Sequence, residues 1–83
     1  MGELSALPNI SKVIENKLNN AEIFTKNQLI EMGSKDAFLR IRLYDPETCI
    51  NMLYAIEGAI EGIRWHHLSD TKKAELKAFY NTL

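Results

Sequence analysis

Three groups of side chains are of types that could do chemistry: the adjacent pair His66-His67, the single Cys49, and Glu57 with Glu61 four residues on. Paired histidines suit metal ligation, but neighbours on a helix diverge by about 100° and cannot chelate from one face. Tetrahedral zinc also needs four spaced ligands, and only Cys49 and these two histidines offer themselves. Near the end of a long predicted helix and beside Arg64, the histidines read more simply as positive or hydrogen-bonding groups meeting the negative helix terminus. Cys49 falls in the first turn of that helix, which favours a thiolate, yet it also falls on the apolar stripe, so a buried structural thiol is expected. Glu57 and Glu61 share a helix face and are expected as solvated carboxylates. There is no Gly-rich phosphate loop, nucleophile elbow or spaced ligand set. The expectation is therefore no enzyme, no cofactor, no metal and no small-molecule substrate.

Anion binding is better provided for. The run Leu7-Pro8-Asn9-Ile10-Ser11 reads as a turn between two helical segments, placing the backbone N–H groups of residues 9–12 at a helix N-terminus. Unpaired donors and the helix dipole favour a phosphate there. Asn9 tolerates a left-handed backbone, and Lys12 adds a flexible charge. Asn9, Ser11 and Lys12, aided by Lys17 and Lys26, are the expected contacts to nucleic-acid phosphates. The alternative is a hairpin that only packs helices.

The elements that must position these groups are helical. Residues 3–7 make at most one turn before Pro8. In the next helix Ile10, Val13, Ile14, Lys17, Leu18 and Ala21 recur at three- and four-residue steps, leaving Lys12, Glu15, Asn16 and Asn19 for solvent. Thr25 with Gln28 predicts a capping box opening a helix over 26–32 that ends before Gly33. Ser34 is expected to cap a third helix that buries Phe38 and Ile41, with Ala37 and Tyr44 beside them. Asp45-Pro46-Glu47 predicts the start of the long apolar helix carrying Leu53, Ile56, Ile60 and Ile63. Gly58 and Gly62 in that helix each cost about 1 kcal/mol against Ala and imply the close approach of a neighbouring helix. Trp65 reads as a core plug or as an exposed anchor, with the need for buried aromatic area favouring the core. Ser69 should cap a last helix returning Ala74, Leu76, Phe79, Tyr80 and Leu83 to the core while Lys72, Lys73, Glu75 and Lys77 stay in water. No segment alternates as a strand would. The fold class is all-α, a compact bundle of about five helices with an N-terminal helix-hairpin-helix-like element and a long central apolar helix.

Eighty-three residues suit a single domain, 1–83. The net charge of −1 divides into +1 for residues 1–42 and −2 for 43–83, so neither half is strongly basic. That balance weakens the case for strong nucleic-acid binding, which needs many neutralised phosphates, and leaves room for a few local contacts. One cysteine excludes a disulfide framework and suits a reducing cytoplasm. No apolar run approaches the roughly 18–20 residues of a membrane span, so no membrane partner is expected.

Leu7-Pro8-Asn9-Ile10-Ser11, then Leu18-x-x-Ala21-Glu22-Ile23-x-Thr25-x-x-x-Leu29, then Asn51-Met52-Leu53-Tyr54-Ala55-Ile56-Glu57-Gly58-Ala59-Ile60-x-Gly62-Ile63-x-Trp65-x-x-Leu68 together resemble the C-terminal domain of the TfoX/Sxy competence-regulator family, over about residues 4–80. The first half also resembles the helix-hairpin-helix in the C-terminal domain of the RNA polymerase alpha chain, a DNA-contacting module. In that group the turn commonly reads apolar-Gly-Ile-Gly; here Asn9 and Ser11 stand for those glycines, and Glu22 for the glycine that precedes the Ile-x-Thr element. The resemblance implies a stand-alone, non-catalytic regulator of transcription or competence. Two functions follow as expectations: weak, sequence-independent DNA binding through the hairpin at 7–12, or a protein-interaction module that pairs with itself or docks to a transcription component.

Overall fold

The computed structural model describes residues 3–83, and within them the chain forms five α-helices and no strand. A 3-10 turn at Leu4–Ala6 leads to α1 (Lys12–Asn20), α2 (Lys26–Met32), α3 (Ser34–Tyr44) and α4 (Ile50–Glu61). A second 3-10 turn at Trp65–His67 precedes α5 (Asp70–Asn81). The radius of gyration is 11.6 Å, close to the roughly 12 Å of a compact chain of this length.

Local capping chemistry starts most of the helices. Ser11 Oγ accepts from Ile14 N at 3.2 Å, Thr25 and Gln28 form both bonds of a capping box, and Ser69 Oγ accepts from Lys72 N at 3.0 Å. Three helices end through residues of positive φ, α2 at Gly33, φ 85°. The chain leaves α1 at Glu22, φ 67°, with Ile23 N donating to Leu18 O, and leaves α4 at Gly62, φ 78°, with Ile63 N donating to Gly58 O. Gly62 therefore serves helix termination and not the close packing expected of it; nothing lies within 4 Å of a Cβ placed there.

Two start signals work differently from expectation. Asp45 ends α3, and α4 begins at Ile50. Pro46 disfavours the helical region for the residue before it, and Asp45 accordingly sits at φ −139°, ψ 80°. Its carboxylate is taken by Lys17 of α1, while Thr48 turns back to it through N–H and hydroxyl bonds to Asp45 O at 3.1 and 2.8 Å. At the start of α3, Gly33 occupies the cap position, and the Ser34 hydroxyl instead donates to Glu57 Oε1 at 2.6 Å.

The core lies on both sides of the α3–α4 pair. Leu18, Ile23, Leu29, Ala37, Ile41, Ile56 and Ala59 fill one side, closed by Leu4 from the first 3-10 turn. Phe38, Leu53, Leu68 and Leu76 fill the other, with Phe79 and Tyr80 packed against them. Met52 touches both. Five residues change face from expectation. Glu15 is buried, because the first 3-10 turn lies over its face of α1 and Ser5 N donates to Glu15 Oε2 at 3.3 Å. Val13 is correspondingly exposed, Tyr44 projects from the end of α3, and Ala74 and Leu83 face solvent at the C-terminal end of the chain.

Candidate functional site

Pro8 and Asn9 turn the chain into α1, with Asn9 at φ 70° and Ile10 N closing the turn on Leu7 O at 3.3 Å. The Asn9 side chain points inward. Its Nδ2 donates to Ile63 O at 2.9 Å and to Ala55 O at 3.5 Å, and its Oδ1 accepts from Trp65 N at 3.1 Å. One amide group thus satisfies a donor and an acceptor that the end of α4 leaves unpaired. The approach is close enough to require Gly58, where a Cβ would lie 2.6 Å from Asn9 Nδ2 and 2.8 Å from Ile63 O. In place of the neighbouring helix expected at Gly58, the glycine admits the hairpin turn and the chain's own return after α4.

With Asn9 turned in, the outer face of the turn belongs to the start of α1. Ser11, Lys12 and Val13 are exposed, and among the described residues their backbone N–H groups have no acceptor. Ser11 Oγ caps the helix from within, so it does not crowd this face. Of the five residues singled out from the sequence, Ser11 and Lys12 stand together here. Lys17 is held in its ion pair with Asp45. Lys26 opens α2, exposed, with its backbone N–H donated to Glu3 Oε2 at 2.9 Å.

Beside the hairpin lies a groove of about 530 Å³. It is lined by Asn9 and Ile14, by Asp45, Glu47 and Thr48 of the α3–α4 loop, by the start of α4, and by Arg64 and Trp65. Cys49 opens onto it and is exposed, not buried: α4 starts one residue after Cys49, which leaves the thiol at the helix edge and not on its inner stripe. Trp65 is half-buried and stacked between Tyr54, 5.7 Å away at 10°, and His66, at 4.1 Å. His66 and His67 lie in the 3-10 turn beyond α4, not at its terminus, because Gly62 has already ended the helix.

Glu57 and Glu61 are not simply solvated. Burial by itself would raise the Glu57 carboxyl, but hydrogen bonds from Glu61 and Ser34 and the nearby Lys72 hold it below its ordinary value. The same hydrogen bond, with some burial and the Glu57 charge, raises Glu61. Lys72, facing both acids and Glu75, is raised in turn. The group ties α3, α4 and α5 together, with Lys35 bridging to Glu75 at 2.8 Å.

The geometry defines a small all-α domain whose N-terminal turn is locked onto the end of its central apolar helix. The chain belongs to the TfoX C-terminal domain family, whose model matches residues 1–80. It is similar to an uncharacterised protein from Listeria monocytogenes in a triclinic crystal form, with 53% identity and a TM-score of 0.94 over 95% of this chain and 90% of that one. It is equally similar to a protein of unknown function from Listeria monocytogenes in a tetragonal form, at 52% identity and TM-score 0.94 over 96% and 98% of the two chains. No curated protein matches the chain.

Proposed function

We propose that this domain is a non-catalytic, cytoplasmic regulatory module that holds the phosphate backbone of duplex DNA at the first turn of α1. The observation that carries the proposal is the outward face of that turn. Three backbone N–H groups, at Ser11, Lys12 and Val13, lack acceptors among the described residues and stand beside an exposed lysine. A helix N-terminus so arranged favours an anion, and the Asn9 side chain, bonded inward, leaves the approach open. The net charge of −1 and the acids Asp45 and Glu47 along the neighbouring groove keep the affinity modest, on the order of 10⁻⁴ to 10⁻⁶ M, and independent of base sequence. Fluorescence anisotropy with a labelled duplex at low salt tests this. Binding that weakens with salt and is lost in Lys12→Glu is the expected result; no shift for the wild type overturns it.

Protein docking is the second reading, favoured by a separate surface. Leu39 and Leu43 are exposed at i,i+4 spacing on α3 with Tyr44 beside them, Leu43 at 78%. Contiguous exposed apolar side chains mark interaction surfaces more often than isolated ones do. Light scattering of wild type and Leu43→Lys separates the two: a strict monomer with no captured transcription component counts against docking.

A further inference from the structure

We propose that Arg64, presented by the segment Arg64–His67 and supported by Lys73, is a second contact for the same DNA backbone; this rests on the DNA reading above. The Asn9 bonds place it. Asn9 is hydrogen bonded to Ile63 O at 2.9 Å and to Trp65 N at 3.1 Å, the residues on either side of Arg64. Arg64 is therefore fixed at the hairpin itself, although it lies more than fifty residues away in the chain. It is exposed, and it lines the groove that Asn9 also lines.

Neither Arg64 nor Lys73 pairs with a carboxylate among the described residues; the ion pairs belong to Lys17, Lys35 and Lys72. Lys73 Nζ donates to His66 O at 3.2 Å and lies 6.0 Å from the Trp65 ring centre, so the segment carries a second positive charge over its own aromatic platform. Trp65, stacked on both Tyr54 and His66, stiffens that platform. A guanidinium offers a planar fork matched to phosphate oxygens, and holding its backbone rigid reduces the ordering cost of binding. The α1 amides with Lys12, and Arg64 across the Asn9 bridge, then form two anchoring points for one backbone. Glu47, exposed and lining the same groove, is the acid that works against it.

The salt dependence of duplex DNA binding by the whole chain tests this, because the slope of log K against log salt falls by about 0.9 for each phosphate contact removed. Arg64→Gln should weaken binding several-fold at low salt and reduce the slope by about 0.9, Lys12→Gln should do the same, and the double variant should lose about 1.8. Arg64→Lys should keep the slope, Glu47→Gln should tighten binding, and Lys35→Gln, whose partner is Glu75, should change neither. Circular dichroism confirms that each variant is folded. If the wild type binds and Lys12→Gln lowers the slope while Arg64→Gln leaves it unchanged, the second contact is wrong and the α1 site stands. If the wild type does not bind at all, both fall.

Discussion

Asn9 and Gly58 occupy one another's space: a single methyl on Gly58 would sit 2.6 Å from Asn9 Nδ2, with the Ile63 carbonyl at 2.8 Å and the Trp65 Cα at 3.2 Å behind it. Two of those three neighbours are backbone, so relief cannot come from a side-chain rotation. Gly58→Ala should therefore destabilise the domain by about 1–3 kcal/mol, although Ala is the better helix former by about 1 kcal/mol. A urea midpoint that rises in this variant would contradict the packing.

Asn9 can be separated into backbone and side-chain contributions. Asn9→Gly keeps the left-handed turn at φ 70° but removes the bonds to Ile63 O and Trp65 N, a loss of about 1–3 kcal/mol where a partly buried polar group is left unmade. Asn9→Ala loses the same bonds and adds about 1 kcal/mol or more of left-handed strain. Chemical denaturation should rank wild type above Gly above Ala; Ala equal to Gly would show that the turn relaxes.

Glu22 is left-handed at φ 67°, the position through which the chain leaves α1. Its side chain is exposed and forms no ion pair among the described residues. Glu22→Gly should stabilise the domain by about 1 kcal/mol by removing the steric penalty. An unchanged or lower melting temperature would rule this out.

The Glu57–Glu61 pair predicts a pH signature. Glu61 is raised, first by its hydrogen bond with Glu57, so the folded state resists its ionisation, and the cost grows as pH rises from the ordinary glutamate value through the raised one. Glu57 is lowered in spite of its burial, so its contribution is present above the ordinary value and lost as pH falls through the lowered one. Glu61→Gln keeps a donor for Glu57 without the charge. It should melt slightly above wild type at neutral pH, the gap closing in acid as Glu61 takes up its own proton. A gap that widens in acid would contradict this. Because Glu61 is exposed, the effect is small and weakened by solvent screening.

Cys49, exposed at the lip of the groove, should react with an aromatic disulfide reagent in the native state, releasing one equivalent of thiolate per chain without denaturant. Reaction only after unfolding would return the thiol to the core.

What can be seen in the sequence is what short-range chemistry decides. The Thr25–Gln28 box and the Ser69 cap need only residues three apart, and both form as the spacing implies. Asp45-Pro46-Glu47 misleads because the capping carboxylate is claimed by Lys17, 28 residues earlier, a competition no local pattern carries. Glu15 belongs in water by its helix face alone, but a turn ten residues upstream covers it. Cys49 falls on the inner stripe only if α4 starts at Pro46, and the helix begins at Ile50. In the candidate site, Lys12 and Ser11 are visible as neighbours of the turn, whereas Arg64 depends on bonds that Asn9 makes 54 and 56 residues along the chain. The signal available is Gly58, a costly helix residue whose purpose only the fold supplies.

The Asn9 contacts join residues 54 and 56 positions apart, so closing them carries a large loop entropy, a cost expected to fall late in folding. Substitutions at Asn9 should therefore accelerate unfolding and leave the folding rate nearly unchanged, which stopped-flow kinetics would check. A fragment ending before α4 lacks the partners of the Asn9 side chain at Ile63 and Trp65. Tethering the hairpin turn to the end of α4 makes the seating of the turn before the α1 amides a report on whether α4 is in place.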